Sequence, residues 1–363
     1  MSCNPIRVLY VNGGTMDLGG ISTYMMNYYR HIDRKRVQID FIVHGTGGIF
    51  DDEISANGGI VYHVPTKKDD FLENKREIFH ILKSGNYQII HSHMDGMNGM
   101  ILKTAYKCGI PCRISHSHNT AHLTSNLLKI RIHEYYRKQI PKYATAFWAC
   151  SYDAGKWLYS DAVPFEVIPN AIDTSKFKYN PVMREKIRNE LGLSEKYIIG
   201  NVARFDYQKN QSFLIRVFSE VAQRMPDAVL ALVGDGDDRN KIEAQIESLG
   251  IKDKILLLGR RNDIYDIINM FDVFVLPSRF EGFGIAAVEA QANGLHCICS
   301  NKVPTEVELT NHIDFLPLDH QEWIKALALQ YPRSKGSEIY IREAGFDIIN
   351  ASIKLQNQYL AMG

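Results

Sequence analysis

The sequence has almost no charge of one sign to spare: 42 Lys and Arg face 41 Asp and Glu, a formal net charge of +1. Such a balance gives no global field to draw nucleic acid, and none is expected as a partner. Long hydrophobic runs are missing too; no uninterrupted apolar stretch is long enough to span a bilayer as a helix. The opening MSCNPIRVLYV carries too short an apolar run for a signal peptide and already reads as a strand, so the expected location is cytoplasmic. Cysteine is scarce, with six in 363 residues. Cys108 and Cys112 are spaced more widely than a zinc knuckle, and Cys297 and Cys299 alternate inside HCICS as small hydrophobes on a buried strand. No low-complexity tract or short repeat occurs. No G-x-G-x-x-G follows the strand that starts either half, which argues against a dehydrogenase.

What is present is the composition of a folded chain, 45% hydrophobic and 23% charged. At 363 residues it is too long for one ordinary core and suits two domains of roughly 150–200 residues each. Short β-branched runs alternate with longer helical patterns: IRVLYVNGG, VQIDFIVHG, IVYHV, YQIIHSHM, CRISHSH, TAFWACS and FEVIPNAIDTSKF in the first half. The rhythm restarts with YIIGNVARF, then VLALVGDG, KILLLG, VFVLPS, HCICS and IDFLPL. Near-continuous apolar strands separated by helices imply parallel sheets covered on both faces. The fold class is α/β, with two Rossmann-like, doubly wound domains joined near residues 169–175. The expected division is 1–170 and 171–344, with a closing helical stretch at 345–363 assigned to the first domain.

Ligands of open parallel sheets lie outside the carboxyl ends of the strands, and there the polar oddities gather. Arg204 follows an apolar strand and Lys209 opens the next helix, in ARFDYQKN. Two cations beside a helix N-terminus suit a diphosphate, because dipole, orphan N–H groups and charges agree; a surface arginine and a solvated lysine are the plainer alternative. In SRFEGFGIAAVEA the glycines let backbone come close to a ligand, and Phe283, Gly284 and Ile285 offer N–H groups where a helix begins. Glu281 and Glu289 cannot hold phosphate, since like charges repel; they can accept hydroxyls. A molecule with hydroxyls at both ends and phosphates between them is a nucleotide sugar.

EGFGIAAVEA, preceded by DVFVLPSRF, resembles the signature of the retaining glycosyltransferases of family four, which have the GT-B fold of two Rossmann-like domains facing a central cleft. ARFDYQKN, LVGDG, GRRNDI, VIPNAID and LGGISTYMMNYYRHI stand in the order and spacing of that family, so the likeness covers essentially the whole chain. RISHSHN, ACSYDAGKWLY and VPTEVELT resemble its capsular and exopolysaccharide branch. The resemblance implies that Glu281 holds donor-sugar hydroxyls, Glu289 the ribose, and Arg204 and Lys209 the leaving diphosphate. Gly19 and Gly20 would bring backbone near the diphosphate or acceptor, Arg261 would border the base, and the last helix would cross back to the first domain. His118 matches the histidine beside the donor sugar, with His116 as its rival.

The family also implies a UDP-sugar donor, a glycan or lipid-linked acceptor, retention of configuration, and no metal or other cofactor. His91 and His93, like His116 and His118, share one face of a strand end, where hydrogen-bonded structure is the commoner role and a metal the rarer one. Asp235-Gly-Asp237 spells the metal-binding motif of a different glycosyltransferase fold, but directly after VLALVG it reads as a turn. Lys129 to Tyr143, KIRIHEYYRKQIPKY, is basic and aromatic; a helix there suits an anionic membrane surface or is an ordinary solvated helix. Two rival functions stay open: a nucleotide-sugar epimerase, and a non-catalytic nucleotide-sugar-binding partner of a polysaccharide assembly complex.

Overall fold

The computed structural model describes residues 4–363. The chain divides into two compact units, Met1–Asn170 with Ile348–Gly363, and Ala171–Asp347.

In the first unit seven strands form one sheet: β1 (Ile6–Asn12), β2 (Val37–His44), β3 (Val61–Val64), β4 (Ile89–His93), β5 (Cys112–Ser117), β6 (Ala146–Ala149) and β7 (Glu166–Val167). Their order is β3-β2-β1-β4-β5-β6-β7 and every pairing is parallel. Because both faces are covered by helices, β1 buries Val8, Leu9, Tyr10 and Val11 in succession instead of alternating inside and outside. The helix Ile348–Met362 packs back onto this unit, and its Tyr359 is fully buried. The Tyr359 hydroxyl bonds Tyr10 Oη at 2.8 Å and His91 Nδ1 at 2.7 Å.

The second unit carries six parallel strands: β8 (Tyr197–Val202), β9 (Ala228–Val233), β10 (Ile255–Leu257), β11 (Val273–Leu276), β12 (His296–Ser300) and β13 (Ile313–Leu316). They are ordered β10-β9-β8-β11-β12-β13. Phe213, Leu214, Val217, Phe218 and Val221 on the helix Gln211–Arg224 meet Leu230, Leu232, Val273 and Val275 in its core. In each sheet the strand order reverses once, between β1 and β4 and between β8 and β11. At those switch points adjacent loops part and leave a crevice.

The described cysteines are all free thiols, and Cys297 and Cys299 are fully buried on β12. Cys3 lies outside the described residues. No helix of the described residues is long and apolar enough to cross a membrane. The basic stretch 129–143 is two helices, Leu127–Arg137 and Ile140–Tyr143. Pro141 lacks the N–H that would continue the first helix and instead opens the second.

Candidate active site

At the switch point of the second unit, the loop after β8 meets the loop after β11. Asp206 organises the first loop: its carboxylate takes Arg204 Nε at 2.5 Å and caps the Lys209 N–H at 3.0 Å. Asn210, in the left-handed region at φ 58°, ends the loop and donates its side-chain amide to Pro277 O at 3.1 Å. The Arg279 N–H donates to Gln208 O at 2.8 Å, tying the loops together again.

Across this junction Lys209 Nζ donates to Glu281 Oε1 at 2.5 Å. The glutamate is 4% exposed, and Ser278 Oγ also donates to Oε1, at 2.6 Å. Two donors on one buried oxygen fix the carboxylate's orientation. Arg204 remains mostly in solvent, its side chain 59% exposed, leaving the guanidinium accessible beside Lys209.

The Gly282-Phe283-Gly284 turn then starts the helix Ile285–Ala292. Phe283 is buried and stacks on Phe346, ring centroids 5.4 Å apart, so its side chain anchors the turn. Gly284 sits at φ +100°, and a Cβ there would lie 3.2 Å from Val303 Cγ1; only glycine suits the position. Among the described residues, the N–H groups of Phe283, Gly284 and Ile285 donate to nothing in the chain. A helix N-terminus with free donors is an anion site in waiting.

Glu289 lies one turn along that helix, 8% exposed among Ala287, Val288 and Ala290. Its carboxyl has no hydrogen-bond partner among the described residues, and burial pushes its pKa up to about 8. Gln291, two residues on, is by contrast fully used: its amide donates to Ala287 O and Val307 O and accepts from Leu309, Thr310 and the Thr310 hydroxyl. Arg261 is held by Asp263 at 2.5 and 2.8 Å on the loop after β10. Gly234 and Gly236 of the GDG turn pack against the Ala203–Phe205 backbone, where an added Cβ would lie 2.0 Å from Ala203 O and 2.3 Å from Phe205 O.

In the first unit, the histidines of β4 and β5 form a ladder with the strand-end loop. His91 Nε2 meets His116 Nδ1 at 2.9 Å, and His93 Nδ1 meets His118 Nε2 at 2.8 Å. Burial holds all four well below the ordinary imidazole pKa, His118 at about 3. They are neutral at pH 7. His118 is the least covered of them, at 7% exposed against 0% for His116. His91, His93 and His116 bring ring nitrogens within 4.8 Å of one another, the spacing of a candidate metal cluster. Both His91 nitrogens are already engaged, by Tyr359 and His116. Gly19 precedes the helix Gly20–His31 without a side-chain cap, and a Cβ on Gly19 or Gly20 would meet nothing within 4 Å.

Ser278 and Gln208, which donate to the Glu281 carboxylate, and Asp206, which accepts from Arg204 and Lys209, were not singled out by sequence. The Asp206-x-x-Lys209 spacing was the available signal for Asp206, since a side-chain oxygen caps an N–H three residues on.

Two doubly wound units in one chain constitute the GT-B architecture of glycosyltransferases. Residues 18–176 match the family described as Glycosyltransferase Family 4, and residues 183–325 that described as Glycosyl transferases group 1. The putative glycosyltransferase EpsF of Bacillus subtilis (strain 168) is 34% identical over 85% of this chain and 82% of its own. The UDP-Gal:alpha-D-GlcNAc-diphosphoundecaprenol alpha-1,3-galactosyltransferase of Escherichia coli is 27% identical over 95% and 94%. In fold, the chain is similar to Anabaena Alr3699/HepE solved with UDP and glucose, at TM-score 0.80 and 18% identity over 97% and 99% of the two chains. The chain belongs to glycosyltransferase family four, in its capsular and exopolysaccharide branch.

Proposed function

We propose that the protein transfers a hexose from a nucleoside-diphosphate sugar, UDP-linked in the first instance, to a glycan or lipid-linked sugar, with retention and without a metal ion. The observation that carries this reading is the Lys209–Glu281 pair at 2.5 Å at the switch point of the second unit, beside a helix N-terminus with free donors. The pair offers a cation for phosphate and a carboxylate for hydroxyls within one hydrogen bond of each other. Arg204, Lys209 and the N–H groups of Phe283, Gly284 and Ile285 take the diphosphate; Glu281 takes sugar hydroxyls and Glu289 the ribose. Arg261 is assigned to the edge of the base. In the first unit, Gly19 and Gly20 offer backbone to the diphosphate or acceptor. His118, as the more accessible imidazole, is assigned to the reaction in preference to His116.

Catalysis is then positioning plus stabilisation of charge on the departing diphosphate. No side chain of the second unit stands as a general base, and the departing phosphate itself takes the acceptor proton. The Escherichia coli relative, named for a diphosphoundecaprenol-linked acceptor, supports a lipid-linked one here and with it a cytoplasmic enzyme peripheral to the membrane. The test supplies UDP-hexoses with and without a GlcNAc-diphospholipid. An α-linked product that requires the acceptor and survives EDTA is expected. A new nucleotide sugar formed from donor alone identifies an epimerase, a β anomer overturns retention, and loss restored by manganese overturns metal independence.

A further inference from the structure

β3 ends the strand order of the first sheet, so one of its two edges has no neighbouring strand. On the inner edge the Phe41 N–H donates to Ile60 O at 2.8 Å and the Gly45 N–H to Val64 O at 3.0 Å. Residues along a strand address alternate sides, so Ile60, Tyr62 and Val64 face β2, and the N–H and C=O groups of Val61 and His63 point away from the sheet. Such edges are ordinarily blunted by proline, lysine or a bulge. β3 is short, but its VYHV has no proline or lysine and its register with β2 is unbroken.

The edge is not covered either. Between it and the helix Phe71–Ser84 lies an open groove of about 620 Å³, lined by Val61, Tyr62 and His63 on the strand and by Glu73, Arg76, Glu77 and His80 on the helix. A second hollow of about 360 Å³ shares His63 and Glu77 and continues past Val64 and Pro65. Apolar side chains are left out on the same elements. Leu72 is 78% exposed, Phe79 is exposed two turns further along the helix, and so is Ile60 just before the strand.

The order of charges on the helix says what fills the groove. Glu73, Arg76, Glu77 and His80 read acid, base, acid, base. Inverting the helix about the midpoint between Arg76 and Glu77 sets Glu73 opposite His80 and Arg76 opposite Glu77. The pattern is complementary to itself, as a two-fold axis requires. β3 answers to the same operation. Two copies related about Tyr62 run antiparallel with Val61 opposite His63, the residues whose outward N–H and C=O groups can exchange a pair of bonds. The groove is lined from both sides of both midpoints, so one axis serves strand and helix. Glu77 has no ion-pair partner among the described residues, and Arg76 meets Glu73 of its own helix at 2.9 Å.

We propose that the first unit pairs with a second copy of this chain, β3 against β3, joining two seven-stranded sheets into one continuous sheet with the two Phe71–Ser84 helices antiparallel beside it. None of these residues belongs to the proposed transfer site, so the dimer stands or falls separately from the transfer reading.

Sedimentation equilibrium of the full chain tests it. A concentration-dependent species of twice the 41.4 kDa chain mass is expected. Val61→Pro deletes an outward N–H while leaving the bonds to β2 in place, and raises the dimer dissociation constant about tenfold or more at an unchanged melting temperature. Should that variant fold poorly, charge reversal decides without touching the strand. Arg76→Glu sets like charges across the axis and weakens the dimer, and adding Glu77→Arg restores it, a rescue that residues meeting across an interface give. Exchange of the Val61 and His63 amide hydrogens slows over the same concentration range. A parent that stays monomeric overturns the proposal; if a Val-Lys-Val-Lys-Val peptide then protects those amides, the occupant is another protein's strand. A dimer unaffected by both Val61→Pro and Arg76→Glu places the contact elsewhere and overturns it as well.

Discussion

Lys209 and Arg204 are both cations beside the same helix, yet their surroundings give them different consequences when removed. Either one, changed to Ala, removes a charge-assisted contact worth about 1.5–3 kcal/mol, and more where it acts on the transition state, so turnover falls about a hundredfold. Only Lys209→Ala also strands the buried Glu281 carboxylate, which keeps Ser278 as a donor, and a stability loss of about 1–3 kcal/mol follows. Arg204→Ala, at an exposed position, melts like the parent. Parent-like turnover in both variants would remove the diphosphate assignment. Glu289 gives a pH signature of its own. Its ordinary value of 4.5 is raised to about 8 in the fold. Between those values the folded chain holds a proton that the unfolded chain has released, so this group makes stability fall as pH rises across that window. Glu289→Gln flattens the slope in denaturant titrations at pH 5 and pH 8; an unchanged slope would show that its carboxyl is solvated.

Among the elements, the helix Leu127–Arg137 is unusual in burying none of its residues. Gly99 draws its inner side close, since a Cβ there would lie 2.0 Å from Tyr136 O. The outer side leaves Leu128, Ile132 and Tyr135 exposed at helical spacing, with Leu127 beside them and Lys129 and Arg131 between. An apolar stripe flanked by cations is the form of an interfacial helix. Changing Lys129, Arg131, Arg137, Lys138 and Lys142 to Gln reduces sedimentation with anionic vesicles, each charge near the surface contributing about 1 kcal/mol. Arg137 contributes least, being paired with Glu134. Vesicle binding equal to the parent's at low salt would make this an ordinary solvated helix. The charge pattern here was legible in the sequence, but the break before Pro141 and the one-sided exposure were not, because exposure depends on what Gly96 and Gly99 allow to approach. Strands were more legible than helices: each apolar run named from sequence contains a strand, since a sheet buried on both faces leaves an unbroken hydrophobic signature. Pairing between distant loops left no such trace. Nothing near Lys209 announces Glu281 as its partner 72 residues away, nor Tyr359 as the partner of His91.

At the scale of the whole molecule, the chain leaves the first unit at Asn170, builds the second, and returns at Ile348. The returning helix completes a buried polar network, since Tyr359 serves both Tyr10 and His91. Tyr359→Phe leaves those two buried groups short of a partner and costs about 1–3 kcal/mol, read as a lowered denaturation midpoint. No change would mean that water replaces the hydroxyl. Vectorial synthesis on the ribosome makes this return a matter of timing. A nascent chain ordinarily finishes its amino-terminal domain first. Here the segment that seals the earlier unit emerges only after all of Ala171–Asp347 has been made. The pocket for Tyr359 in the amino-terminal sheet can therefore be filled only once the whole of the second unit has been synthesised.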